Sequence, residues 1–236
     1  MISQRRGKGK PTFRAPSHRF KARAKYRSYD EREKTGKVRG EVMGFVDDPG
    51  RSSVLMKVLY DDGKEEAIPA AEGVFVGDIL EEGISASLNV GCVLPLQKIP
   101  EGYPIFNIEA KVGDGGKIVR GSGACAYVVT KEPSRVLVKL PSKAMKYFNS
   151  SCRATIGCSA GGGRLEKPLM KAGKGWYKNR ARGKWYPTVR GVKMNAYDHP
   201  FGGKQHHGAK TKKGKGGSPG QHVGSFGSKR TGRKKK

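Results

Sequence analysis

The stretch VLMKVLYDDG, residues 54–63, decides the fold class. Its side chains alternate with period two, so that Val54, Met56, Val58 and Tyr60 share one face, as in a half-buried β-strand. The run ends in Asp61-Asp62-Gly63, and Asp-Gly is a strong signal for a β-hairpin turn. We therefore predict a hairpin in which residues 65–70 form the returning strand.

Short β-prone runs continue on both sides of this hairpin, and Gly, Pro, Asn or Asp punctuates most of the gaps between them. We predict further strands at residues 39–47, 84–88, 93–96, 105–108, 117–120, 124–130, 135–140, 145–148 and 153–158. Many short strands without a long amphipathic helix favour small β-barrels or sandwiches. The length of this region suits two barrels of OB or SH3-like size, and we place their boundary near residue 90.

Charge divides the 236-residue chain, whose formal net charge is +28, into three parts. Residues 1–29 hold ten Lys and Arg and no acidic residue, and residues 160–236 hold 21 Lys and Arg but two acidic residues. The intervening segment has 17 basic and 18 acidic residues, so it is almost neutral. Two strongly cationic arms on a neutral body need a polyanionic partner before they become compact.

Both arms carry aromatic residues among the cations. Phe13, His18 and Phe20 interleave with the basic residues of the first arm. In the second arm, KGWYKNRARGKWY at residues 174–186 combines two Trp and two Tyr with five basic residues. Cations neutralise phosphates and aromatic rings stack on unpaired bases, so RNA is the predicted partner. The alternatives are a solubilising or nuclear-targeting tail for the first arm and Trp rings that dock on a barrel for the second.

Several features offer weaker signals for other chemistry. Cys92, Cys125, Cys152 and Cys158 form no CxxC pair, so we predict no metal site and no disulfide. Cys125 and Cys158 fall in strand-like runs, where a free Cys is usually buried. The sequences GDGGK at 113–117 and GGGR at 161–164 lack P-loop spacing, which favours tight turns or close approach of the backbone to RNA. No apolar run approaches 18 residues, so no transmembrane helix is predicted, and no secretory signal is recognisable.

The chain resembles the family of the universal large-subunit ribosomal protein number two, in its archaeal and eukaryotic branch. The matching stretches, in order, are FRAPSH (13–18), EGVFVGD (72–78), LPLQKIPEGYPIFNIE (94–109), GDGGK (113–117), CRATIG (152–157) with GGGR (161–164), KPLMKAG (167–173), NAYDHPFGG (195–203) and SKRTG (228–232). These motifs are specific, and they extend over nearly the whole chain.

The resemblance implies an all-β fold, with an OB-type barrel followed by an SH3-like barrel and long, basic, irregular N- and C-terminal extensions. We expect an N-terminal extension at 1–35, the OB-type barrel at 36–90, the SH3-like barrel at 91–163 and an RNA-threading extension at 164–236. The implied partners are large-subunit ribosomal RNA and other large-subunit ribosomal proteins. The resemblance also implies one copy per ribosome in the cytoplasm, contact with the small subunit at an intersubunit bridge and no membrane. No cofactor is expected beyond Mg²⁺ that accompanies ribosomal RNA.

The residues predicted to contact RNA are mostly basic or aromatic. They are Arg5, Arg6, Lys8, Lys10, Phe13, Arg14, His18, Arg19, Arg153, Arg164, Lys167, Lys171, Lys174, Trp176, Arg180, Arg182, Lys184, Trp185, Arg190, Asn195, His199, Phe201, Lys204, Lys229, Arg230 and Arg233.

His199 divides two functional hypotheses. In the family that the chain resembles, the His of the DHP motif has been proposed to assist peptide-bond formation. Adjacent residues in an extended chain point apart, so Asp198 need not orient His199, and the sequence places no nucleophile beside it. We expect a structural protein of the large subunit rather than an enzyme. It would support subunit association, tRNA binding and the organisation of the peptidyl-transferase region, and the alternatives are catalysis through His199 or a free RNA chaperone.

Overall fold

The computed structural model describes residues 11–199, 202 and 203. Within these residues the strands are β1 (Lys37–Val46), β2 (Leu55–Tyr60), β3 (Glu65–Pro69), β4 (Ile79–Gly83), β5 (Val93–Pro95), β6 (Pro104–Phe106), β7 (Ala126–Lys131), β8 (Arg135–Lys139), β9 (Met145–Asn149) and β10 (Arg153–Ile156). The helices are α1 (Glu31–Thr35) and α2 (Ala172–Arg180), with short 3₁₀ turns at Pro11–Phe13, Ser17–Arg19 and Gly191–Lys193.

The described residues fall into two compact units. Ser17–Met170 contains all ten strands, and the other unit consists of the described parts of Met1–Pro16 and Lys171–Lys236. The strands form one sheet in the order β3-β2-β1-β4-β5-β10-β6-β7-β8-β9. Neighbouring strands run antiparallel except β4 and β5, which meet in parallel where Glu82 pairs with Val93. This strand-rich architecture confirms the predicted all-β class.

The hairpin predicted from residues 54–63 is present as β2 and β3. Leu55, Met56, Val58 and Tyr60 are buried, and Gly63 occupies the turn with φ +75°, a conformation that glycine adopts without strain. Strand β1 pairs with the edge of β2 that β3 leaves open, and its Gly40 lies opposite Tyr60. A Cβ on Gly40 would approach Val58 Cγ1 to 2.5 Å, so the absence of a side chain there lets Val58 and Tyr60 fill the core.

Two apolar cores lie along the sheet. The first core contains Val38, Val42, Met56, Val58, Tyr60, Ile68 and Leu80, together with Val93 and Phe106. The second core contains Leu94, Leu96, Ile99, Ile105, Ile108, Val128, Val136, Val138, Phe148 and Ile156. Since β5 and β6 contribute side chains to both cores, the two halves of the sheet share these strands.

Two strand predictions are wrong, each for a local reason. Residues 84–88 form turns, because Ile84 N–H donates to Glu33 O and Ser85 N–H donates to Gly36 O. The strand lies just before them, at β4. Residues 117–120 form no strand either, and Ile118 makes an isolated bridge to Ile108. Val119 next to it has φ +56°, which interrupts extended pairing.

A buried arginine joins α1, β10 and the loop after β6. Arg153 is 1% exposed, and its guanidinium donates to Glu109 Oε1 at 2.9 Å and to Glu33 Oε2 at 2.8 Å. It also donates to the Arg27 carbonyl at 3.0 Å. Burial opposes the charge, but the hydrogen bonds and negative charges of Glu109 and Glu33 outweigh that effect and raise the pKa of Arg153. A guanidinium supplies the fork of donors that such a site needs.

A second buried arginine extends this network to the hairpin turn. Arg27 is 2% exposed and donates to Glu33 Oε1 at 3.0 Å and to Asp62 Oδ2 at 2.9 Å. It also pairs with Asp30. Glu33 therefore receives one hydrogen bond from each arginine, and it links the segment before β1 to both β10 and the β2–β3 turn.

Substitution of Arg153 by Met tests this network. The change leaves the buried Glu109 without its cationic partner and Glu33 with Arg27 alone, and we expect it to lower the free energy of unfolding by about 3–5 kcal/mol. Arg39→Met is the matched control, because Arg39 is largely exposed and lies 3.7 Å from its partner Glu81. Urea unfolding of the full chain measures both variants. Equal loss of stability in the two would contradict the role assigned to Arg153.

Glu82 on β4 is a buried carboxyl group with a perturbed pKa. It is 1% exposed, it accepts a hydrogen bond from Tyr60 Oη at 2.5 Å, and its Oε2 has no partner among the described residues. Burial raises the pKa of Glu82 to about 7, although the Tyr60 hydrogen bond acts in the opposite direction.

The sign of the resulting pH dependence follows from the raised pKa. Between the ordinary glutamate value and about 7 the folded state holds a proton that the unfolded state has lost, so this contribution to stability falls as pH rises. Glu82→Gln keeps an acceptor for Tyr60 and removes the charge. We compare the free energy of unfolding of the variant with that of the wild type by urea unfolding at pH 5 and pH 8. The difference should shift by about 1–3 kcal/mol in favour of the variant between pH 5 and pH 8. A pH-independent difference would show that Glu82 stays ionised when buried.

Candidate nucleic-acid interface

Helix α2 organises the aromatic part of the C-terminal extension. Its sequence contains two glycines, which weaken helix propensity, and the extension was predicted to be irregular. Lys178 and Arg180 in the last turn interact favourably with the negative end of the helix dipole. Trp176 and Arg180 are four residues apart and therefore share a face, with the guanidinium 4.9 Å from the ring centroid.

The chain reverses after α2 and runs back along it. Lys184 N–H donates to Asn179 O at 2.9 Å, and the Tyr186 hydroxyl lies against Gly175, whose absent Cβ would be 3.1 Å from it. Gly183 has φ +61°. A Cβ on Gly183 would approach Phe13 O to 2.4 Å, so glycine lets the N-terminal segment pass against this turn.

The N-terminal segment, α2 and the returning chain together line a cleft of about 480 Å³. Its lining residues are Pro11, Arg14, Pro16, Trp176, Arg180, Lys184, Trp185 and Tyr186. The lining thus combines three cations with three aromatic rings and contains no acidic residue. Trp176 and Trp185 are 39% and 44% exposed. Exposed rings beside unpaired cations suit a nucleotide, because a base stacks on the rings while the cations neutralise its phosphate.

Sequence reasoning singled out the cations and the aromatic residues of this cleft but missed Pro11 and Pro16. It also gave no indication that residues 11–16 and 176–186 meet. The glycine at position 183, between two clusters of basic and aromatic residues, is the signal that points to a close approach of two chain segments.

The charges of the body and of the extensions are arranged differently. In the described part of the chain, every lysine or arginine that forms an ion pair lies between Arg27 and Arg153. The lysines and arginines of residues 11–25 and 160–199 have no carboxylate partner within that part. The electrostatic attraction of the protein to a polyanion therefore comes from its extensions.

The other predicted RNA-binding residues are distributed along the chain. His18, Arg19, Arg164, Lys167, Lys171, Lys174 and Arg190 are exposed, while Phe13 and Arg182 are partly buried. The Phe13 ring lies 6.4 Å from Trp185, next to the cleft. The predicted residues Arg5, Arg6, Lys8, Lys10, Phe201, Lys204, Lys229, Arg230 and Arg233 lie outside the described residues.

Arg153 and Phe20 pack within the strand-rich unit and do not form part of an RNA-binding surface. Arg153 was predicted to bind RNA, but its guanidinium is buried and hydrogen-bonded to Glu33 and Glu109, so we assign it a structural role instead. Phe20 lies against Gly50, where a Cβ would be 2.8 Å from the ring, so it packs on the first half of the sheet. Basic composition alone cannot separate these internal roles from RNA contact.

The two glycine-rich loops are held by the protein itself. Glu109 accepts N–H donors from Gly113 and Gly115, and Asp114 accepts them from Ala110, Lys111 and Gly116, which fixes residues 109–116 as a tight turn. At the second loop, Gly162 Cα would lie 2.8 Å from a Cβ on Gly123. Arg164 there hydrogen-bonds Ser122.

The cysteine prediction is wrong in one respect. Cys92 and Cys152 are buried, but Cys125 and Cys158 are partly exposed and lie just outside the ends of β7 and β10. All four are free thiols. Among the described residues no group of three or more His, Cys, Asp or Glu could hold a metal ion. Within the same residues no helix is long and apolar enough to cross a bilayer.

His199 belongs to a compact turn. Its backbone N–H donates to Asn195 O at 3.1 Å, and its carbonyl accepts from Gly202 N–H at 2.8 Å. The imidazole packs against Gly191, since a Cβ at that position would lie 2.4 Å from Nδ1. Asn195, by contrast, is exposed. The turn therefore fixes the position of the His199 ring.

The fold and this interface together define a class: β-barrels that carry basic extensions with exposed aromatic rings, an arrangement suited to folded RNA. Comparison with known proteins specifies the family. Residues 2–82 match the model "Ribosomal Proteins L2, RNA binding N-terminal domain", and residues 89–222 match "Ribosomal Proteins L2, C-terminal domain". The chain belongs to the ribosomal protein L2 family. These two domains fit the predicted OB-type barrel followed by an SH3-like barrel.

Archaeal relatives match over almost their full length. The protein named "Large ribosomal subunit protein uL2" from Methanococcus vannielii is 51% identical over 236 residues, covering 99% of this chain and 98% of the relative. Proteins of the same name from Methanocaldococcus jannaschii and Methanopyrus kandleri are 50% and 49% identical. The former alignment covers 100% of this chain and 98% of the relative, and the latter covers 98% and 96%.

The cleft predicts a specific effect of Trp185→Ala on binding to large-subunit ribosomal RNA. Stacking of a base on an aromatic ring contributes about 1–3 kcal/mol, so the Kd should rise about 5- to 150-fold at constant salt. Tyr197→Ala is the matched control, because Tyr197 is 79% exposed in the same extension and does not line the cleft. Filter binding of the full chain compares the two variants. Similar affinities for both would contradict a role of the cleft in stacking.

Proposed function

We propose that this protein is a structural constituent of the large ribosomal subunit that binds large-subunit ribosomal RNA through its two basic extensions. One observation carries the proposal: the lysines and arginines of residues 11–25 and 160–199 have no carboxylate partner within the described part of the chain, and three of them flank an aromatic cleft. Family membership and the name of the archaeal relatives support the same assignment. In this role the protein resides in the cytoplasm as part of the ribosome, and it is not an enzyme.

Finer contributions belong to the same proposal. Other large-subunit proteins and the small subunit, at an intersubunit bridge, are the proposed protein partners, with one copy of this chain per ribosome. The extension around Asn195–Gly203 would help to organise the peptidyl-transferase region and support tRNA binding. The four-part division at residues 35, 90 and 163 and the predicted contact residues other than Arg153 are also proposed. Mg²⁺ would enter only as the counterion of ribosomal RNA.

Salt dependence tests the electrostatic basis of binding. If the extensions make about six to ten phosphate contacts, affinity for large-subunit ribosomal RNA should fall about 10³–10⁵-fold between 50 and 200 mM salt. A variant with Arg14, Arg180 and Lys184 replaced by Gln should show a log–log slope shallower by about three. The matched control replaces Lys37, Arg39 and Lys57, which pair with carboxylates of the body, and should keep the wild-type slope. A shallow wild-type slope would overturn the proposal.

The position of His199 distinguishes a structural role from catalysis. Gly191→Ala should displace the His199 ring and reduce incorporation into large subunits, whereas the double variant Gly191→Ala/His199→Ala should match His199→Ala alone, because the clash is gone. In fully assembled particles His199→Ala should form peptide bonds at the normal single-turnover rate. A loss on the order of 10²–10⁴-fold with normal assembly would instead indicate general acid–base catalysis.

A further inference from the structure

Cys125 and Cys158 lie on two chain segments that contact each other outside the strands. Strand β6 separates β7 from β10, since its Ile105 pairs with Ala126 on one side and Ile156 on the other. The segments that precede β7 and follow β10 nevertheless meet: Gly123 N–H donates to Ser159 O at 2.8 Å, and Ser159 N–H donates to Ala124 O at 3.2 Å. Cys125 follows Ala124 and Cys158 precedes Ser159, so each cysteine lies next to a residue of this contact.

This contact suits a disulfide. The two hydrogen bonds of Ser159 hold the backbones together beside the cysteines, and a disulfide spans Cα atoms about 4.4–6.8 Å apart. The Cys125 thiol is also near enough to Cys158 to raise its pKa. Cys125 donates to the Tyr127 hydroxyl at 3.5 Å. A disulfide between Cys125 and Cys158 would therefore join segments that already contact each other.

The two cysteines also differ from the other pair in access. Cys92 and Cys152 are 1% and 0% exposed and belong to the second core. Cys125 and Cys158 are partly exposed, and their neighbour Tyr127 is 45% exposed. A small reagent can thus reach Cys125 and Cys158, while Cys92 and Cys152 stay protected in the core. Solvent access is one of the properties that distinguish reactive from structural cysteines.

We propose that Cys125 and Cys158 form a reversible redox site that closes to a disulfide by exchange with a small-molecule disulfide. The Cys125 thiolate attacks one sulfur of the reagent, forms a mixed disulfide and releases the first thiolate, which takes up the proton that Cys125 lost. The Cys158 thiolate then attacks the Cys125 sulfur and expels the second thiolate, which takes up the proton of Cys158. The protein loses two hydrogen atoms in total, and the reagent is reduced to two thiols.

The order of attack follows from the surroundings of the two thiols. Burial raises the pKa of Cys158 to about 11, and the hydrogen bond and charge of Cys125 act in the same direction. Little Cys158 thiolate is therefore present at neutral pH, which disfavours Cys158 as the first nucleophile. This assigns the first attack to Cys125 and makes Cys158 the resolving thiol.

The bond would fasten the point where the chain leaves the sheet for the C-terminal extension. Residues 159–164 follow Cys158 directly and contact the segment before Cys125, through the Gly123–Gly162 approach and the Ser122–Arg164 hydrogen bond. Closing the loop from 125 to 158 joins the beginning of β7 to the end of β10. The oxidised protein should consequently resist urea unfolding better than the reduced protein.

Thiol trapping tests the site in the full chain, both free and within purified large subunits. The protein is exposed to 2-hydroxyethyl disulfide, quenched with N-ethylmaleimide and analysed by intact mass and peptide mapping. We expect a species that lacks two hydrogen atoms and carries a Cys125–Cys158 link, with Cys92 and Cys152 still reduced. Dithiothreitol should restore the original mass. Stable mixed disulfides on both cysteines, or a link that forms only in urea, would overturn the proposal.

Single variants separate the two roles. Cys158→Ser should accumulate a stable mixed disulfide at Cys125, because the resolving thiol is absent, whereas Cys125→Ser should react at least tenfold more slowly than the wild type. Equal adduct levels in Cys158→Ser and the wild type would contradict resolution by Cys158. The wild-type trapping experiment needs no variant, so it decides the proposal even if a substitution impairs folding.

Discussion

The guanidinium of Arg153 lies between the buried carboxylates of Glu33 and Glu109, and the arrangement of the body depends on that contact. It joins the last strand to the helix that precedes the first strand and to the loop after β6. Glu33 also accepts a hydrogen bond from Arg27, and Arg27 donates to Asp62 in the β2–β3 turn. Because an unpaired charge is costly inside a protein, any alternative packing of these segments would be strongly disfavoured.

The body and the extensions use charge in opposite ways. The body is almost neutral, and several of its cations, among them Arg51 and Arg153, pair with carboxylates of the same chain, so it can fold around its own cores. The described lysines and arginines of residues 11–25 and 160–199 have no such partners within the described part of the chain, and their mutual repulsion is relieved by an external polyanion. This division lets one chain combine a barrel fold of its own with segments that bind folded RNA at high charge density.

Close contacts at glycine positions give the extensions defined geometry despite their irregular sequence. Gly183 admits the N-terminal segment beside the turn after α2, and Gly191 admits the His199 ring. Trp176, Arg180 and Arg14 consequently lie around one cleft, although Arg14 is far from the other two in sequence. The same principle acts in the body, where Gly40 leaves room for Val58 and Tyr60.

The strand-rich body, the hairpin at residues 54–63, the charge division and the family are all predictable from the sequence, because period-two patterning, turn residues and motifs are local properties. Contacts between residues far apart in the chain appear only in the folded structure. It placed Arg153 in the interior, located the strand predicted at 84–88 at β4 instead and left Cys125 and Cys158 partly exposed on segments that contact each other. Burial and hydrogen-bond partners arise only on folding, so local patterns carry no record of them.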